Sequence, residues 1–143
     1  MTAKKLTAAQ LRRVQEAMSS VPYARLLGIK IAEVALGTAT LTLKIRKELK
    51  QNNGVVHGGA VASLIDSATA IAILPLLSRK EKVTTVDLTI SYLRPATEGQ
   101  LSATAEIVRA GRRLFVVSAK VTDATGRLIA TALSTYIKIS PPA

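Results

Sequence analysis

The sequence has no cysteine and no tryptophan, a single phenylalanine (Phe115) and a single histidine (His57). Without cysteine there is neither a disulfide framework nor a thiolate metal centre. With one histidine, a zinc site made by the protein lacks most of its usual donors. Acidic residues are scarce too: nine Asp and Glu stand against twenty Lys and Arg, a formal charge of +11 at pH 7. Such a surplus favours an anionic partner, whether a phosphorylated small molecule, acidic lipid or nucleic acid. Single-strand binding, however, relies on aromatic stacking platforms, and here there are only Phe115 and three tyrosines. With no recognised nucleic-acid motif, a nucleic-acid-binding module rests on charge alone. The N-terminal stretch has no unbroken apolar core of the secretory kind, so a cytoplasmic protein is expected.

What the chain does have is enough apolar residue, 48% of 143 positions, to fold as one domain around one core. Residues 1–24 read as a basic tail followed by an amphipathic helix, and residues 25–143 as a single domain. Thr7 and Gln10 have the spacing of a capping box. Leu11, Val14 and Met18 then recur at helical spacing until Val21-Pro22 breaks the pattern. Strands are expected at Ile29–Leu36 and, from strict alternation, at Ala39–Arg46. Further strands are expected at Val83–Leu93, Leu101–Arg109, Leu114–Asp123 and Arg127–Ile139. In the first of these four, Val86, Leu88, Ile90 and Tyr92 should share one face and Thr85 the other.

The centre of the chain is the stretch Asn53-Gly-Val-Val-His-Gly-Gly-Ala-Val-Ala-Ser-Leu-Ile-Asp66 and its apolar continuation to Leu77. From Gly59 to Leu74 apolar residues fall on almost every side, so the helix must be enclosed by protein or lipid. Asp66 lies mid-run, where a membrane would charge about 3 kcal/mol for it, and Pro75 ends or kinks the helix. A buried helix of a soluble protein is therefore the reading, with no membrane partner. Ser63, Asp66, Ser67 and Ala70 fall at i, i+3, i+4 and i+7, a narrow face of small and polar residues. Two strands, one buried helix and four hairpin-linked strands leave no crossover helices for a parallel sheet. The expected class is α+β, an antiparallel sheet curled around one long helix.

This order resembles the hotdog fold. The segments Gly54-Val-Val-His-Gly-Gly59, Asp66 and Ser91-Tyr-Leu-Arg-Pro-Ala96 are similar to those of PaaI-type acyl-CoA thioesterases, over roughly residues 25 to 139. The resemblance implies hydrolysis of acyl-CoA thioesters by a homodimer or homotetramer. It implies no metal and no organic cofactor, coenzyme A being part of the substrate. It implies that Asp66 is the general base or nucleophile and that the Gly58 amide polarises the thioester oxygen. His57 would help place the carbonyl or its loop. Gln51 would hold water or substrate, a role that Asn52 or Asn53 could take if the loop is shifted, and Thr85 would assist the carboxylate.

The residue types support this chemistry on their own terms. Thioester hydrolysis develops negative charge on the carbonyl oxygen, and the first N–H groups of a helix are unpaired at its positive end. Gly58 and Gly59 place no side chain in the way of a substrate approaching them. Gly58 and Asp66 are eight residues apart, about 12 Å of helix, so one helix cannot bring both to one carbonyl. Two antiparallel copies about a two-fold axis can, which predicts a dimer with two composite sites. Arg94, Arg112 and Arg113 are candidates for the CoA phosphates. The alternatives are a hotdog domain that binds or senses acyl-CoA without hydrolysing it, a hotdog dehydratase, whose usual catalytic pattern is absent, and the nucleic-acid module.

Overall fold

The computed structural model describes residues 3–139. Thr7 caps helix α1 (Ala8–Ser20) through the reciprocal box: its hydroxyl accepts from the Gln10 N–H at 3.1 Å, and Gln10 Oε1 accepts from the Thr7 N–H at 2.9 Å. Val14 turns fully into the core, Met18 packs at its margin and Leu11 stays exposed. Pro22 opens the short helix α2 (Pro22–Leu27), and Gly28, with φ of 80°, ends it in the left-handed region that glycine tolerates. Of the expected N-terminal tail, Met1 and Thr2 lie outside the described residues. Lys4 is tied down, because its carbonyl accepts from the Leu36 N–H at 2.8 Å. Pro141 and Pro142 also lie outside the described residues.

Strands β1 (Lys30–Ala35) and β2 (Thr38–Lys44) form a hairpin, followed by a 3-10 turn at Lys47–Leu49 and helix α3 (Gly58–Ile73). Another 3-10 turn, Leu74–Leu76, surrounds Pro75 where the sequence calls for a stop. Then come β3 (Lys82–Tyr92), β4 (Gln100–Ala110), β5 (Leu114–Thr122) and β6 (Leu128–Ile139). All six strands join one antiparallel sheet in the order β1-β2-β4-β5-β6-β3. The α+β expectation holds, but the four late strands are not a simple run of hairpins. β3 pairs with β6, not with β4. The reason lies in Leu93–Gly99, which is too long and irregular for a tight turn. It crosses the sheet end, with the Leu93 and Arg94 N–H groups donating to the Ile129 carbonyl and the Ala96 carbonyl accepting from Val56.

The sheet packs its inner face on α3. Leu41, Leu43, Leu101, Ala103, Ala105 and Val117 from the strands meet Leu64, Ile65, Ala68 and Ala72 from the helix, all fully or almost fully buried. Together with its 3-10 continuation, α3 is long and apolar enough to cross a membrane, yet more than half of it is buried inside the protein. That burial accounts for its apolarity as a core helix. One stripe escapes: Ala62, Ser63, Asp66, Ser67 and Ala70 are only half-buried. This is the narrow face that the helical spacing singles out.

Candidate active site

The start of α3 is held from below by three backbone contacts. Gln51 and His57 donate to the Val55 and Leu49 carbonyls at 2.9 and 2.8 Å, which makes the isolated bridge between Lys50 and Val56, and Val56 donates to the Ala96 carbonyl at 2.8 Å. Between them Gln51 to Gly54 makes a turn closed by the Gly54 N–H on the Gln51 carbonyl, with Gly54 at φ 82°. His57 then serves as N-cap: its Nδ1 accepts from the Gly59 N–H at 2.8 Å. An accepting Nδ1 carries the lone pair, so the imidazole proton of the capping form sits on Nε2. The exposed ring therefore offers an N–H donor beside the helix end.

This cap corrects one expectation. The Gly59 N–H is not open to a substrate, because His57 already occupies it. The Gly58 N–H is different: among the described residues it has no acceptor. Its carbonyl accepts from the Tyr92 hydroxyl at 2.8 Å. Gly58 borders a cavity of about 310 Å³ that also touches Gln51, Val61, Tyr92 and Arg94. The two glycines thus have separate steric reasons. A Cβ on Gly58 would lie 3.3 Å from the Tyr92 ring, and one on Gly59 would lie 2.9 Å from His57 Nδ1. Gly59→Ala should therefore push the imidazole off its cap, at a cost of about 1 kcal/mol. Thermal melting and turnover should fall together; an unchanged melting temperature would contradict the cap.

Two turns along, Asp66 sits on the half-buried stripe. Its Oδ1 accepts from Thr85 Oγ1 at 2.8 Å and from the Tyr136 hydroxyl at 2.9 Å. Thr85 reaches it because β3 carries a bulge. The β3–β6 register slips between Thr85 and Asp87, leaving Val86 unpaired and exposed. The shared face expected for Val86, Leu88, Ile90 and Tyr92 fails at Val86, since one extra residue reverses the side on which the following side chains fall. Thr85, Leu88, Ile90 and Tyr92 consequently share the helix side, and Val86 does not join them. Burial pushes the Tyr136 phenol well above the usual tyrosine range, and the nearby Asp66 carboxylate adds to the rise, against hydrogen bonds from Thr69 and Thr85.

Asp66 opens on a different cavity from Gly58. This cleft, of about 690 Å³, runs between α1–α2 and α3 and is walled by Met18, Val21, Ala24, Ala70 and Leu74. Arg94 borders the Gly58 cavity while one guanidinium nitrogen donates to the Leu128 carbonyl at 2.9 Å. Arg112 and Arg113 occupy the β4–β5 turn, exposed, and border neither cavity. Asn53 Oδ1 accepts from the Val55 N–H within its own turn at 3.3 Å. Among the described residues, no group of three His, Cys, Asp or Glu side chains could hold a metal ion.

The thioesterase superfamily model matches residues 53–130, the span from the turn before His57 to the start of β6. The chain belongs to the thioesterase superfamily. Human acyl-coenzyme A thioesterase 13 is 34% identical over 124 residues, 84% of this chain and 88% of that protein. Medium/long-chain acyl-CoA thioesterase YigI of Salmonella typhimurium is 26% identical over 132 residues, 82% of this chain and 85% of that one. A thioesterase family protein from Silicibacter pomeroyi superposes with a TM-score of 0.86 at 29% identity, covering 92% of this chain and 99% of that one. The E. coli PaaI protein has the same fold, with a TM-score of 0.87 at 23% identity over 95% and 97% of the two chains. The fold is thus the hotdog fold, and this thioesterase is a thioester hydrolase.

Sequence reasoning about the thioesterase missed two tyrosines that touch the candidate groups, Tyr92 at Gly58 and Tyr136 at Asp66. The signal for Tyr136 was present. It occupies an inward position of an alternating strand, and a buried tyrosine hydroxyl needs a polar partner. Asp66 is the only ionisable side chain on the helix that the sheet encloses.

Proposed function

We propose that this thioesterase hydrolyses acyl-CoA in a homodimer whose sites each join the Gly58 amide of one subunit to Asp66 of the other. The observation that carries this reading is separation. Within one chain the two groups border cavities that share no lining residue, and eight residues of helix put them about 12 Å apart. Both must come within about 3 Å of one reacting carbonyl. An antiparallel second copy of α3 brings the start of one helix to the middle of the other. The half-buried stripe of Ala62, Ser63, Asp66, Ser67 and Ala70 suits such an approach, being small as well as polar. So does β3, an 11-residue edge strand with an unpartnered side, the kind of edge that pairs with another chain. A homotetramer would repeat the same composite sites.

Water attacks the thioester carbonyl and gives its proton to Asp66, while the Gly58 N–H meets the charge gathering on the oxygen. The tetrahedral intermediate collapses by breaking the carbon–sulfur bond, leaving the free acid and CoA thiolate, which takes a proton. If Asp66 attacks directly, the same C–S bond breaks and water then opens the mixed anhydride. Both routes use the same two groups, with no metal and no cofactor beyond the CoA of the substrate. The apolar cleft beside Asp66 receives the acyl group, and Arg94 faces the phosphates of CoA. The acyl-CoA activities in the names of the human and Salmonella relatives support this substrate class.

The test is free-thiol release from phenylacetyl-, hexanoyl- and lauroyl-CoA. Turnover of at least one is expected. Saturable binding of all three without thiol release would make the protein an acyl-CoA-binding domain instead.

A further inference from the structure

Asp66 has two carboxylate oxygens, and the protein engages one of them. Oδ1 takes both the Thr85 and the Tyr136 hydroxyls. Oδ2 has no hydrogen-bond or ion-pair partner among the described residues. An aspartate carboxylate turns easily about χ2, so a single donor would not decide which oxygen faces the substrate. Two donors on the same oxygen, from neighbouring strands, do decide it. Thr85 and Tyr136 are direct cross-strand partners in the β3–β6 register. The spacing of their hydroxyls is therefore set by the sheet and not by flexible side chains.

Tyr136 is the more rigid of the pair. Its side chain is only 2% exposed. Its hydroxyl lies 2.8 Å from the Asp66 carbonyl and 2.7 Å from Thr69 Oγ1, besides the carboxylate. Thr69 is itself fully buried and within bonding distance of the Ile65 and Asp66 carbonyls. The phenol has one proton, which it shares between Oδ1 and the backbone carbonyl of Asp66, and Thr69, whose own proton is also within reach of the Ile65 and Asp66 carbonyls, can donate to the phenol oxygen from behind. Burial raises the phenol's pKa, which keeps that proton in place throughout the range in which a carboxylate works as a base.

We infer that Tyr136 is a positioning residue: with Thr85 it fixes Oδ1 and leaves Oδ2 as the oxygen presented to water or to the thioester carbon. The inference rests on the reading of Asp66 as the reacting carboxylate. Tyr136 itself touches no reacting atom. Its loss should misalign the base without altering how acyl-CoA binds, so the effect belongs in kcat and not in KM.

Tyr136→Phe removes the hydroxyl and keeps the ring. With the best substrate of the acyl-CoA panel, kcat should fall about tenfold to a hundredfold, as for loss of one hydrogen bond to a charged group, with KM changed by less than about twofold. Thr69→Val, which removes the hydroxyl behind the phenol, should lower kcat several-fold in the same manner and decides the matter if Tyr136→Phe does not fold. A folded Tyr136→Phe with undiminished kcat would overturn the inference, as would a loss confined to KM. Asp66→Asn run alongside separates the two failures. If it is inactive while Tyr136→Phe is fully active, only the role of Tyr136 falls. If it turns over like the unaltered protein, the reading of Asp66 falls with it.

Discussion

Asp66→Asn should lower kcat about a thousandfold, within the range that positioned general acid–base groups contribute, and leave the fold intact. Asparagine has the same shape and keeps an oxygen able to accept the Thr85 and Tyr136 hydroxyls. What it lacks is the basic, nucleophilic oxygen on the unoccupied side. The fold should survive because nothing else is disturbed: no ion pair to Asp66 is present among the described residues. The measurement is thiol release under saturating acyl-CoA, with circular dichroism and melting temperature as controls. A folded variant with full turnover would remove the carboxylate from the chemistry.

Gly58→Pro isolates the other half. Proline has no N–H, so the substitution deletes the donor at the helix start that has no acceptor among the described residues. The backbone accommodates it: the first helical position favours proline. His57, at φ −66° and ψ 135°, already holds the extended conformation required before a proline. The added ring meets Tyr92, whose nearest atom would stand 3.3 Å from a new Cβ. Losing one oxyanion donor should cost about a hundredfold to a thousandfold in kcat. Gly58→Ala is the control, because it brings the same Cβ against Tyr92 but retains the N–H. It should keep most of the activity that Gly58→Pro loses. Equal losses in the two variants would assign the effect to crowding at Tyr92 and not to the amide.

Much of this was legible from residue order. The capping box at Thr7, the stop at Pro75 and the buried α3 with its one half-exposed stripe all follow from local periodicity and turn chemistry. The α+β class follows from the absence of crossover helices. Strand order did not follow, because β3 pairs with β6, from which it is separated by two intervening strands. Nothing local in the segment after Tyr92 announces that crossing. The bulge at Val86 was equally hidden, since an inserted residue leaves the alternation of Val, Leu, Ile and Tyr looking regular. Yet it is the bulge that lets Thr85 face Asp66 while Leu88, Ile90 and Tyr92 face the helix. His57 shows a different limit. Its position before two glycines suggests substrate handling, whereas the bond it makes in the fold is the cap on Gly59. Only Nε2 remains for any further task.

Mixing the two inactive variants reaches the heart of the account. Asp66→Asn and Gly58→Pro subunits, exchanged to equilibrium and verified as heterodimers by mass spectrometry, pair one sound amide with one sound carboxylate in every heterodimer. With half of random dimers mixed and one site working in each, about a quarter of the unaltered protein's turnover should return. Verified heterodimers that stay as inactive as their parents would place both groups' work within a single chain and contradict the shared site.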